Sequence, residues 1–300
     1  MNFRLIALNI RQYCPELSIP VIKERINIRY KQILSVEDWE FLYDSTTVNL
    51  IGITTQSTGV SVAVTNGQTG VTGTATTFST DAITGYNFRI ETEAQPYVVG
   101  SVTSDTALNL ERPYGGSTAW NNDFSYYKTI YSPGVGNVAK ISSIVYQQQL
   151  PEVSERFLNK LDPERSSTGT PTYWRNFSKT NADGIVSFEI WPILDDDYVV
   201  TVYYKKYVAN LIEDTDTPVF RPEVLEAGAL WDCFRIAFAT TRNTAYIGLA
   251  RDAQIDFRNL LRELVIEDLA QSSLPTSVRD VSSIDVFNDN FLLSHDVETL

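Results

Sequence analysis

Apolar positions recur at two different periods along this chain, and the change of period divides it. Over residues 1–55 the spacing is helical. A first helix is expected over about Phe3 to Tyr13, ending before Pro15. A second starts at about Ile19 and carries Ile22, Ile26, Tyr30 and Ile33 on one face. Ser35 reads as the N-cap of a third, VEDWEFLYDS, with Glu37 and Asp38 in the first turn where the helix dipole favours acid. Trp39 and Leu42 would pack at i and i+3.

At about Thr54 the period drops to two. Val60, Val62 and Val64, the Asn66-Gly67 turn and Val71 alternate, and Phe88, Ile90, Val98, Leu108 and Leu110 continue the pattern through a Ser104-Asp105 turn. Five or so short strands in residues 56–123 suggest a small barrel. A second β block, 124–210, has strands over Ile141 to Gln149, Tyr173 to Phe177, Ile185 to Trp191 and Tyr198 to Tyr207, with a hairpin at Asn181-Ala182-Asp183-Gly184. Leu161-Asp162-Pro163 and Gly169-Thr170-Pro171 mark loops. Helix returns over 220–271, with Pro222 well placed at N1 and Leu225, Leu230, Trp231, Phe234 and Phe238 inward. Residues 272–300 have no clear period, only a late apolar knot of Phe287, Phe291, Leu292 and Leu293. Such a tail is either a disordered terminus or an extended docking arm that orders on a partner. The expected class is α+β: terminal helices from both ends of the chain form a helical bundle, with an inserted antiparallel β region (small barrel plus sandwich) and a C-terminal arm.

The longest uninterrupted helical pattern runs from Thr244 to Gln271. At about 100° per residue, Tyr246, Ala250, Phe257, Leu260, Leu261 and Leu264 share one broad face. Arg251, Arg258 and Arg262 form a stripe on one side of that face, and Asp252, Asp256, Glu263 and Glu267 a stripe on the other. Neighbours at i and i+4 are alike in sign, Asp252 over Asp256, Arg258 over Arg262 and Glu263 over Glu267, which costs a few tenths of a kcal/mol per pair in isolation. The opposite charges then lie off this helix, on a neighbouring element or the next subunit, unless both flanks are merely solvated. Ile255 and Ile266, on the face turned from the core, favour an intersubunit seam.

Composition narrows the chemistry. With 43% hydrophobic residues the chain can bury one large core or two small ones. A net charge of −13 argues against a protein that grips nucleic acid through its phosphates. Cys14 and Cys233 fall in apolar helical patterns and are expected as packed thiols rather than a bridge. No secretory signal is expected, and no segment approaches the ~20 apolar residues of a membrane span. The one histidine, His295, makes Ser–His–Asp and Cys–His machinery improbable. No phosphate-binding loop occurs, and Asp195-Asp196-Asp197 lacks the ligand spacing of a calcium loop. Carboxylates such as Glu189 and Asp197 could serve a glycosidase, and Trp120, Trp174 and Trp191 could stack on sugars, but neither pattern is specific. No enzyme and no cofactor or metal is expected.

Several of these stretches carry a likeness. VIKERINIRYKQILSVEDWEFLY, with Ile26-Asn27 in a helix and Trp39, Phe41 and Leu42 closing it, resembles the helix pair near the start of tailed-phage head-to-tail adaptor proteins. VTNGQTGVTGTATTF, ALNLERPYGG and LDPERSSTGTPTYW resemble β segments of the same group, and the last two helices also resemble its own. The likeness covers about residues 18–271, by order and texture rather than by an invariant motif. It implies a structural virion protein, made in the host cytoplasm, that forms a ring of about twelve subunits at the neck. The portal protein would lie above and a tail or nozzle protein below, with DNA passing through the lumen unbound. It also implies that Phe287, Phe291, Leu292 and Leu293 dock on the portal. The competing reading is a tail-associated carbohydrate- or receptor-binding module; a carboxylate glycosidase ranks last.

Overall fold

The computed structural model describes residues 1–55, 59–81, 84–91, 93, 95–178 and 186–271. Helices α1 (Phe3–Tyr13) and α2 (Ile19–Val36) and a 3-10 turn (Glu40–Leu42) lead into strand β1 (Tyr43–Leu50). Strands β2 (Thr54–Thr55), β3 (Ser61–Val64) and β4 (Gly70–Thr74) precede a one-turn helix α3 (Phe78–Asp81). Next come β5 (Asn87–Ile90), β6 (Tyr97–Ser104), β7 (Ala107–Leu110), β8 (Ala119–Asn122), β9 (Phe124–Tyr127) and β10 (Ile130–Tyr131). Then β11 (Val138–Tyr146) and β12 (Gln148–Leu150) run up to helix α4 (Glu155–Leu161). After β13 (Thr168–Gly169), β14 (Tyr173–Ser178), β15 (Ser187–Trp191), β16 (Ile193–Leu194) and β17 (Tyr198–Lys206), the described chain ends in α5 (Pro222–Thr241) and α6 (Ala245–Gln271).

This layout corrects the expected architecture. The class is broadly α+β, but the six α-helices of the described residues do not form a clear bundle of terminal helices around a purely β insertion. Two of them, α3 and α4, stand inside the strand-rich middle, and α4 forms because Ser154 caps the N–H of Phe157 and Leu158 is fully buried. Nor is the middle a small antiparallel barrel plus a sandwich. It holds an eight-stranded sheet that makes a half-barrel, sheets of four and three strands, and a parallel pair, β13 with β16. The third N-terminal helix is also absent. α2 runs on through Ser35, whose hydroxyl donates back to the Gln32 carbonyl instead of capping a new helix, and residues 43–50 pair along their full length with β17. An eight-rung antiparallel ladder outweighs the weak helix preference of that stretch. The arm over 272–300 and the hairpin at residues 181–184 lie outside the described residues.

The chain forms two compact units, one of Tyr43–Tyr207 and one of residues 1–42 with the chain from Val208 onward. The Tyr43–Tyr207 unit has two cores. In the eight-stranded sheet, ordered β2-β9-β5-β6-β7-β4-β3-β8, Phe78, Phe88, Phe124 and Tyr126 meet edge-on or tilted with ring centroids 5.3–6.1 Å apart. The four-stranded sheet, β1-β17-β11-β12, buries Ile141, Ile144, Val200 and Val202 with Phe188 and Ile190 of the three-stranded sheet.

In the other unit α1, α2, α5 and α6 share a single core. Asn2 caps α1 by accepting from the Leu5 N–H at 3.0 Å. Asn27 of α2 both donates to and accepts from the Leu211 backbone, each at 2.9 Å, so one side chain satisfies a whole peptide group of the return strand of chain. Trp39 is fully buried and donates its indole N–H to the Ile33 carbonyl. Pro222 opens α5 at its first turn, as its fixed φ and missing N–H allow. Arg242, in the left-handed region, ends α5 and turns the chain into α6 within three residues.

Candidate oligomer interface on the last helix

The inward face of α6 follows from its spacing: Ala250, Ala253, Phe257, Leu261, Leu264 and Val265 are buried, and Tyr246 and Leu260 pack against them half-buried. Two polar groups fix how the helix lies. Arg29 of α2 is 5% exposed, with its guanidinium 4.8 Å from the Trp231 ring, 5.1 Å from the Phe257 ring, and bound through two nitrogens to Asp232. Gly228 makes room for it, since a Cβ there would lie 2.7 Å from Arg29 Cγ and 2.9 Å from the Phe257 ring. Near the other end of α6, Asp268 is buried and accepts from the Glu40 and Phe41 N–H groups at 2.9 and 3.3 Å. Sequence reasoning missed both. Asp268 looks like one more acid of a charged helix until the turn at Glu40–Leu42 places two N–H groups beside it.

The outer face carries the seven charges expected there. Arg251, Asp252, Asp256, Arg262, Glu263 and Glu267 are exposed and Arg258 is half-buried. Glu263 and Glu267 are not wholly open to a partner: Arg221, which precedes α5, reaches them at 3.5 and 2.8 Å. Among the described residues Arg251, Asp252 and Asp256 join no ion pair. Between the basic and the acidic stripes Ile255 and Ile266 stand 50% and 53% exposed, eleven residues apart and so on nearly one line along the helix. A large aliphatic side chain exposed singly on a helix is ordinary; these two are set apart by lying in register between unlike charges. The expected docking residues Phe287, Phe291, Leu292 and Leu293 lie outside the described residues.

On the acidic side α6 faces a groove of about 440 Å³ lined by Tyr13, Glu223, Glu226, Leu230, Asp256 and Leu260 among others. Burial raises the Glu226 carboxyl above its ordinary range, against a hydrogen bond from Asn9, and the neighbouring Glu223 raises it further.

Elsewhere the residues considered for chemistry serve the fold. Glu189 is buried and held by Arg165 at 3.3 Å and by Arg175, while Asp197 accepts from the Gly52 N–H. Trp174 is buried with its indole N–H on the Leu150 carbonyl, and Trp191 donates to Asp162; Trp120 alone of the three is openly exposed. Cys14 and Cys233 are free, buried thiols. Among the described residues no cluster could hold a metal ion, and no helix is long and apolar enough to cross a membrane.

Asp162 anchors the loop that follows α4. Burial acts to raise its pKa, but the N–H groups of Ser167 and Ser166 and the Trp191 indole outweigh burial and hold the carboxyl below its ordinary value. A depressed carboxyl adds stability above its unfolded pKa and loses it as pH falls through the folded one. Asp162→Asn should therefore flatten the loss of stability below about pH 4. At pH 7 it should cost about 1–3 kcal/mol, because an amide cannot accept from all three donors. Urea melts at both pH values check the pair of effects.

Comparison with known proteins bears on the same helices. Residues 133–279 match the family model of the SU10 adaptor protein. The match spans just under half of the chain and takes in both α5 and α6. It suggests a phage adaptor-type protein, structural in role and located in the virion. No curated protein matches the chain.

Proposed function

We propose that this chain is a head-to-tail adaptor whose copies assemble into a ring between portal and tail, with no catalytic step. The observation that carries the reading is the outer face of α6, an exposed Ile255–Ile266 line between a basic and an acidic stripe. A closed ring needs two different, complementary surfaces on one subunit, and this helix offers them on either side of an apolar ridge. DNA would pass through the lumen without binding. A charge of −13 repeated round a ring repels phosphates. The 272–300 segment would serve as the arm that docks on the portal, burying Phe287, Phe291, Leu292 and Leu293 there.

The purified chain is expected to sediment as a closed oligomer of about twelve copies, or to become one on the portal, and to appear as a ring in negative stain. Deleting 272–300 should abolish portal binding without altering the ring. A chain that stays monomeric both alone and with its portal would remove the reading.

A further inference from the structure

We propose that the groove between α1, α5 and α6 is the socket for the basic ridge of α6 from a second copy of this chain. The inference rests on the ring reading and specifies its contact.

The socket and the ridge match in kind. The floor of the groove is apolar, from Ala227, Leu230 and Leu260, and its rim is acidic, from Glu223, Glu226 and Asp256. The ridge on the other side of α6 alternates in the same two characters. Arg251, Ile255, Arg262 and Ile266 follow one another at intervals of four, seven and four residues, so they stand in one row along the helix. All four are exposed. Guanidinium groups reach the carboxylate rim while the isoleucines meet the apolar floor. The occupant must be basic as well as apolar, which argues against the chain's own C-terminal segment: residues 272–300 carry five acids and one arginine. A net charge of −13 makes exposed rows of arginine scarce on this chain, and α6 supplies one. Because socket and ridge are different surfaces, each copy both offers a ridge and receives one, which is the head-to-tail geometry a ring requires.

The full chain carrying a photo-cross-linking phenylalanine analogue at position 13, at the edge of the groove, provides the test. Isotopically light and heavy copies are mixed, irradiated and digested. The expected adduct joins position 13 of one copy to residues 247–266 of another. Glu223→Lys, at an exposed rim position, and Leu230→Trp, which fills the floor, are each expected to weaken self-association about tenfold or more, the effect of losing one well-placed interfacial contact. Glu223→Lys carries the test if Leu230→Trp fails to fold, as judged by circular dichroism. Rings that form with unchanged affinity in the folded variants, or an adduct mapping elsewhere on the second copy, would overturn the socket while leaving the adaptor reading in place. An unaltered chain that never associates would overturn the adaptor reading itself, and the socket with it.

Discussion

Asp232→Ala is expected to lower the unfolding free energy by about 3–5 kcal/mol, the range for removing one partner of a buried ion pair. The cause is the position of Arg29. Its guanidinium lies between the Trp231 and Phe257 rings and is 5% exposed, so water cannot replace the carboxylate that satisfies two of its nitrogens. The cation would remain charged in an apolar slot, and α2, α5 and α6 would lose a polar clamp they share. Arg29→Met combined with Asp232→Leu should recover more than half of the loss, since two apolar side chains can fill the same space without an unpaired charge. Urea denaturation of the three variants measures this directly. A loss under about 1 kcal/mol for Asp232→Ala, the size seen at exposed pairs, would show that the clamp is not dry.

Reversing the two stripes of α6 separately should produce two chains that cannot self-associate but can assemble with each other. One chain carries Arg251→Glu with Arg262→Glu, the other Asp252→Arg with Asp256→Arg. In the first, both sides of the helix are acidic, and in the second the targeted acidic sites become basic. Like sides repel, and misplaced like charges at an interface cost several kcal/mol. An equimolar mixture alternates the two chains and sets each reversed α6 stripe against charges of opposite sign on α6 of its neighbour, so native mass spectrometry should find assemblies containing equal numbers of each. The changed residues are exposed, and circular dichroism of each chain alone checks that the subunit folds. Assembly of either chain alone, or failure of the mixture, would count against a charge-matched seam. Glu263 and Glu267 are left out of the design because Arg221 already engages them.

Local pattern made part of this molecule legible and nonlocal pairing hid the rest. The helices that begin at Phe3, Ile19 and Pro222 and the last helix were readable because their apolar spacing and Pro222 are local signals. The strands around Val62, Val71, Phe88 and Leu108 were readable from alternation alone. Residues 43–50 were misread because their partner, β17, lies some 150 residues away and nothing nearby announces it. Trp174 was misjudged for a similar reason: its indole is covered and hydrogen-bonded to Leu150, and a lone tryptophan in a β block carries no sign of which face it takes. On α6 the stripes and the outward isoleucines could be placed by angle. That Arg221 would claim two of the acids could not, because the loop before α5 is positioned by tertiary packing.

Cys14 and Cys233 sit where burial pushes both thiols up to about 12, with Glu16 adding to the effect at the first. Thiolate is the nucleophile that attacks peroxide and disulfides, and at neutral pH almost none exists here. This subunit therefore carries its only two sulfhydryls in a state that air scarcely touches. Burial, rather than any external reductant, keeps both as thiols.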